Sequence, residues 1–181
     1  MKNVYTWAAV PAKRTLTVGD LKAAKGKKKF TQEKKKFTQE VFYNLCPEFN
    51  MMEESAKKNQ ATYVPTSPRA LSSTYQDSIE MHITNKTRIT ICGHADAGLD
   101  HLTDNYGRTL TAEKLAKKIR YSTTEDNPTF TISLVACRAA MPTDHNPSFA
   151  QQLLEALKNK GLTNVTITAS PTMMFASSDK Y

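Results

Sequence analysis

Two stretches decide the fold: Arg88-Ile89-Thr90-Ile91-Cys92-Gly93-His94 and Thr129-Phe130-Thr131-Ile132-Ser133-Leu134-Val135-Ala136-Cys137. Each is a run rich in β-branched residues that ends on a side chain capable of chemistry, a histidine in one and a cysteine in the other. The second run is nearly all apolar on alternate positions and beyond, as expected of a strand covered on both faces. Between them Thr111 can cap a helix whose inner face is Ala112, Leu115 and Ile119. After Cys137, Ser148 can cap a second helix with Phe149, Leu153 and Leu157 on one face, and Gly161 stands where a helix end favours left-handed backbone. Val165–Ala169 then reads as a further strand. The order strand, helix, strand, helix, strand is that of two βαβ units, so the sequence predicts an α/β protein with a mainly parallel sheet between helical layers.

Outward from this core the reading is less regular. Ile79, Met81 and Ile83 alternate with Glu80, His82 and Thr84, and with the turn Asn85-Lys86-Thr87 they predict a β-hairpin over residues 79–92. Residues 51–78 are polar, with a short helix near 52–58 and otherwise loop. Residues 3–10 read as a first strand, and the last twelve residues as irregular. Residues 27–40 are a tandem repeat, KKKFTQE twice, and Phe30, Phe37, Val41 and Leu45 fall on one helical stripe, which predicts a basic amphipathic helix over 27–46. The chain is expected to form a single domain over 1–181, with a basic N-terminal segment over 1–50 and an α/β core over 78–175.

The 181 residues carry a net charge of +8. Residues 1–40 hold 11 Lys/Arg against 3 Asp/Glu and the rest holds 14 of each, so the excess belongs to the N-terminal segment alone. Lys27, Lys28, Lys29, Lys34, Lys35 and Lys36 are candidates for a polyanionic ligand, with Arg88 and Arg138, and with Lys114, Lys117 and Lys118, as further candidates. The aromatic residues lie on the apolar stripe and do not alternate with lysine, which argues against DNA. No run reaches the length of a membrane span, and the N-terminus lacks the pattern of a secretory signal, so a cytoplasmic location or delivery into a host cell is expected. The three cysteines, Cys46, Cys92 and Cys137, are sparse, odd in number and without a CxxC pair, which excludes a disulfide framework and a structural zinc site of usual spacing.

In open parallel sheets ligands bind beyond the carboxyl ends of the strands. His94 and Cys137 both stand there, linked by one crossover. A thiol becomes a useful nucleophile at neutral pH only beside a base or a cation, and an imidazole can serve as that base and later protonate a leaving amine. Backbone N–H groups following Gly93 and at Cys137 are candidates for holding an oxyanion. Read singly, each residue has a plainer role: a cysteine after an apolar strand is commonly a small core residue, as Cys92 and Cys46 are expected to be. His82 is expected on the solvent side of its strand, and His145, in the loop after Cys137, is a weaker second base. A metal-dependent alternative would use His94, Asp96, Asp100 and His101, with Asp104 nearby, although their spacing matches no standard loop.

Gly93-His94-Ala95 after one strand and Val135-Ala136-Cys137-Arg138 after the next resemble the clan CD cysteine peptidases, which include caspases, gingipains and clostripain. Tyr106-Gly107-Arg108-Thr109-Leu110-Thr111-Ala112-Glu113-Lys114-Leu115-Ala116, then Ser148-Phe149-Ala150-Gln151-Gln152-Leu153, are similar to the self-cleaving cysteine protease domain of RTX and large clostridial toxins, over about residues 78–175. The resemblance implies a three-layer caspase-like fold and a Cys137/His94 dyad with no metal or cofactor needed for the chemistry. It also implies oxyanion donors around Gly93 and Ala95, protein or peptide substrates cut after leucine, and activation by inositol hexakisphosphate. Leu71-Ser72 would be a self-cleavage bond of that kind. His94 is followed by Ala95 where those domains have His-Gly, and the chain ends before the β-flap that they carry. A binding protein on the same fold, engaging inositol phosphates, an acidic membrane or a host protein through its basic helix, is the alternative.

Overall fold

The computed structural model describes residues 14–17, 37–47, 51–66 and 81–173. Its centre is a six-stranded sheet in the order β1 (Arg14–Thr17), β8 (Val165–Ala169), β7 (Phe130–Val135), β4 (Thr87–Cys92), β2 (Gln39–Asn44), β3 (Thr62–Pro65). Five of these strands are mutually parallel and β1 is the antiparallel edge. A separate two-stranded antiparallel sheet joins β5 (His101–Thr103) to β6 (Thr109–Thr111). Three helices complete the described residues: α1 (Met51–Asn59), α2 (Ala112–Ser122) and α3 (Phe149–Asn159).

The strands alternate strictly. In β4, Thr87, Ile89 and Ile91 are buried while Arg88, Thr90 and Cys92 are half-buried, and β7 and β8 repeat the pattern. Because successive side chains point to opposite faces, Ile89, Ile91, Ile132, Leu134 and Ile167 form one face, and Leu115, Ile119, Leu153 and Leu157 of α2 and α3 join the same core. Phe42 lies on the other face with Met52 and Ala56 of α1, and Tyr63 and Cys92 pack against them. The architecture is therefore three-layered, helix on sheet on helix, the α/β class with the mainly parallel sheet that the βαβ pattern predicts, and it is consistent with the caspase-like fold that the resemblance implies.

Connectivity explains which helix lies where. From β2 the chain passes through α1 outward to β3; from β4 it passes through α2 to β7 and through α3 to β8, moving the opposite way across the sheet. Right-handed crossovers running in opposite directions place their helices on opposite faces. The direction reverses between β2 and β4, so the crevice at the carboxyl ends of β2, β4 and β7 is where such sheets bind ligands.

The predicted helix caps hold. Thr111 accepts from the Lys114 N–H, and Ser148 and Gln151 form a reciprocal capping box. Gly161 is left-handed, φ 81°. Helix α1 is the short helix expected near 52–58. Two expectations are corrected. The hairpin over 79–92 does not form: both edges of β4 are occupied, by β2 and β7 in parallel, and Ile83 makes only an isolated parallel bridge to Thr123 at the end of α2. Met81 and Ile83 are buried there, which accounts for their apolar alternation without strand pairing. The basic helix over 27–46 is replaced, in its described part, by β2, whose Val41-Phe42-Tyr43 run is buried in the sheet. Residues 27–36, the strand expected at 3–10, Leu71-Ser72 and the segment after 173 lie outside the described residues. Among the described residues no helix is long and apolar enough to cross a membrane.

Candidate active site

The register of the sheet sets the depth of each residue at its carboxyl end. Asn44 pairs with Cys92, and Cys92 pairs with Val135. The ladder runs one step further, with Leu45 N–H donating to Cys92 C=O at 3.0 Å and Gly93 N–H to Val135 C=O at 3.3 Å. Cys46, His94 and Cys137 are each two residues beyond that row. Adjacent strands are about 4.8 Å apart, so His94 and Cys137 leave neighbouring strands at equal depth. They also continue the same strand phase, that of half-buried Cys92 and Val135.

His94 is held by the β5–β6 hairpin. Its N–H donates to Thr103 C=O and its C=O accepts from Thr103 N–H, both at 2.8 Å, so its backbone is fixed as a short antiparallel bridge. The imidazole is exposed, and its Nε2 lies 2.6 Å from Asn105 Oδ1 in the turn between β5 and β6. That turn is built on Asp104, which is 3% exposed. Its Oδ1 accepts from Tyr106 N–H and Arg108 N–H at 2.9 Å, and its Oδ2 from Arg108 Nε at 2.5 Å. Burial alone would raise the Asp104 carboxyl, but these bonds from Arg108 and Tyr106 outweigh it and hold the group below the ordinary carboxylate value. Gly107, at φ 74°, supplies the left-handed residue the turn needs.

Cys137 opens a tight turn over 137–140. Arg138 follows with φ 50°, a backbone that non-glycine residues rarely adopt, and its N–H donates to Thr172 C=O at 3.0 Å. The Arg138 guanidinium reaches Asp96 at 3.0 Å. The Ala97 N–H, ahead of this Arg138 contact, lowers the Asp96 carboxyl. An ion pair thus ties the residue after Cys137 to the loop after His94. A second tie is the Gly98 N–H, which donates to Met141 C=O at 3.0 Å.

A model of the Peptidase C80 family matches residues 50–176, most of the chain and the whole of this arrangement from α1 onward. The chain belongs to the Peptidase C80 family. It is therefore a cysteine peptidase of clan CD, as the two strand-end motifs imply, and protein or peptide is its substrate class. Searches of curated proteins and of solved structures return no match.

The other expected residues of this C80 peptidase are placed as follows. Gly93 has its N–H committed to Val135, and His94 has its own committed to Thr103; the Ala95 N–H meets no acceptor among the described residues, which leaves Ala95 as the oxyanion candidate of that stretch. Ala95 is not in the left-handed region, so alanine in place of glycine carries no backbone strain there. Gly93 packs closely, since an added Cβ would lie 3.4 Å from Thr103 O and 3.5 Å from Leu102 Cβ. Arg88 lies toward the amino end of β4, far from His94 and Cys137, paired with Glu40 at 3.5 Å and stacked 5.5 Å over the Phe37 ring. Lys118 is 1% exposed and so is not a surface ligand for an anion, whereas Lys114 and Lys117 are exposed. Cys46 is buried. His145 is in the exposed stretch 141–147.

The residues of the metal alternative serve other partners. His94 meets Asn105, Asp96 meets Arg138, and Asp100 meets His101 at 2.7 Å. Among the described residues no three His, Cys, Asp or Glu side chains converge as a ligand set. The β5–β6 hairpin and the contact of Asn105 with His94 are not predicted from the sequence, where Asp104 stands only beside the metal alternative. The only signals for them are the Leu102 and Leu110 alternations about an Asp-Asn-Tyr-Gly turn.

Proposed function

We propose that this cysteine peptidase cleaves its substrates through Cys137 as nucleophile and His94 as general acid and base. The observation that carries the reading is the register that sets both residues two positions beyond the paired row Cys92–Val135. The Cys137 thiol gives its proton to the His94 imidazole, and the thiolate attacks the scissile carbonyl carbon. The oxyanion is held by the Ala95 N–H. The carbon–nitrogen bond breaks as the imidazolium returns the proton to the departing amine. Water, deprotonated by the same imidazole, then hydrolyses the thioester and restores the thiol.

Inositol hexakisphosphate or a like polyanion is proposed as an activator, acting on the protein in a cytoplasm, its own or a host's, as a toxin-type or effector protease that also cuts itself. Its support is the lysine block ending at Lys36, joined directly to Phe37, whose ring meets Arg88. That contact is at the amino ends of β2 and β4, so activation there would reach the dyad along the strands.

An electrophilic thiol probe followed by mass mapping tests the dyad. Cys137 is expected to label much faster than Cys46 or Cys92, and His94→Ala to slow it. Equal labelling of the three thiols with no response to His94→Ala would refute the reading. Titration of inositol hexakisphosphate by calorimetry tests the activator separately, and no heat and no rise in Tm would count against it.

A further inference from the structure

Resting on the dyad reading, we infer that Asn105 is a positioning residue that fixes the tautomer and orientation of His94, so that Nδ1 is the nitrogen that exchanges a proton with Cys137. An imidazole has two nitrogens, and the partner of one sets the role of the other. Here Asn105 Oδ1 lies 2.6 Å from Nε2. A carbonyl oxygen only accepts, so Nε2 carries hydrogen and the lone pair of the neutral ring is on Nδ1.

The contact is not a chance meeting of two surface side chains. Asn105 is in the turn of the β5–β6 hairpin, and His94 is bridged to its first strand. Thr103 clamps the His94 backbone through both of its polar groups, and Asn105 is two residues further along. The turn is closed by Asp104 N–H to Arg108 C=O at 3.1 Å and Gly107 N–H to Asp104 C=O at 3.2 Å. The buried Asp104 carboxylate accepts from the Tyr106 and Arg108 amides of the turn. The ring and its acceptor are therefore set on one rigid piece, and the ring's reorientation is removed as a cost of each turnover. Both side chains are exposed, so the bond contributes little to stability and its function is orientation.

The test uses the full chain and the variants Asn105→Ala and Asn105→Asp. Long-range proton–nitrogen NMR reads the His94 tautomer directly. The wild type is expected to hold hydrogen on Nε2 and Asn105→Ala to lose that bias. On a cleaved peptide, Asn105→Ala is expected to lower kcat roughly 10- to 100-fold with KM little changed, a part of the usual general acid–base contribution. Asn105→Asp keeps the acceptor and adds negative charge beside the ring, so it should retain the tautomer and displace the pH–activity profile to higher pH. An unchanged tautomer in Asn105→Ala, or a pH profile that Asn105→Asp leaves in place, overturns the inference. Failure of the dyad reading looks different: Cys137→Ala would cleave like the wild type while the tautomer still answered to Asn105.

Discussion

The two segments that carry the proposed reactive groups are built differently. The loop after β4 is stapled. His94 is tied through its backbone to Thr103 and through its ring to Asn105, and the turn beyond is nailed to a buried carboxylate. The segment after β7 is a single tight turn with one left-handed arginine, followed by the exposed stretch 141–147. The proposed base is placed by a hydrogen-bonded hairpin, and the proposed thiol by a strand end and a turn tied to Thr172, Asp96 and Gly98. A general base has to be oriented as well as near, because only one nitrogen at one angle transfers the proton. A sulfur needs only to be delivered, and a strand whose register is set by Ile132 and Leu134 in the core delivers it.

The largest expected effects test whether both segments serve one reaction. Cys137→Ala removes the nucleophile and is expected to abolish peptide cleavage, a fall of roughly a thousandfold or more, and His94→Ala to lower kcat by roughly 10²–10⁴. Their combination should cost little more than the worse single change, because residues that act as one unit are not additive. Additive losses would mean that the thiol and the imidazole act apart.

Breaking the framework should act on stability and activity together. Asp104→Ala strips three acceptor contacts and leaves Arg108 without its carboxylate, an expected loss of about 2–3 kcal/mol, reduced from a fully buried pair because Arg108 is one-third exposed. Its depressed carboxyl gives the sign of the pH effect. The stabilisation is complete above the unfolded carboxylate value near pH 4 and is lost as pH falls through the lower folded value. Acid melts of the wild type and Asp104→Asn should therefore diverge above about pH 4 and converge below it, and parallel curves would remove Asp104 from the account. Gly98→Ala comes next. Its φ is 67° and a Cβ would lie 2.7 Å from Thr143, at the place where the two segments meet through Gly98 and Met141. About 1–2 kcal/mol is expected from the left-handed backbone alone, measured as a lower denaturant midpoint with unchanged m-value.

How much of this could be read from the residues follows from the range of the forces involved. β4, β7, β8, α2 and α3 are legible because alternation, caps and a helix-ending glycine are local, and they place Cys137 and His94 at strand ends. β2 is misread because the KKKFTQE duplication creates a seven-residue period whatever the fold, and that period runs into Val41-Phe42-Tyr43. Tertiary burial between β4 and β3 decides the matter in favour of a strand. β3, β5 and β6 are too short for periodicity to register. Asn105 is illegible for a different reason. An asparagine in an Asp-Asn-Tyr-Gly turn is ordinary turn chemistry, and its meaning comes only from the bridge between His94 and Thr103.

The smallest expected effect concerns Cys92, and it sharpens the comparison because this thiol sits on the stapled segment, two residues before the base. It packs with Phe42, Met52 and Ala56 on the α1 face. Burial, with added repulsion from the Cys46 and Cys137 thiols, pushes its pKa up to about 12. About one Cys92 in ten thousand is then ionised at pH 8, and nearness to His94 in sequence does not make it a nucleophile. Cys92→Ser is expected to leave kcat within about twofold, since no proposed step passes through this sulfur. The linkage has a definite sign. A neutral thiol favoured by folding contributes fully below the unfolded value near 9 and loses that contribution as pH rises toward about 12. The wild type should therefore lose stability over that alkaline window more steeply than Cys92→Ser, measured by denaturation at fixed pH. If instead Cys92 alkylates as fast as Cys137 at pH 8, the rigid segment would carry both the base and the nucleophile, and the division between an oriented imidazole and a delivered sulfur would fail.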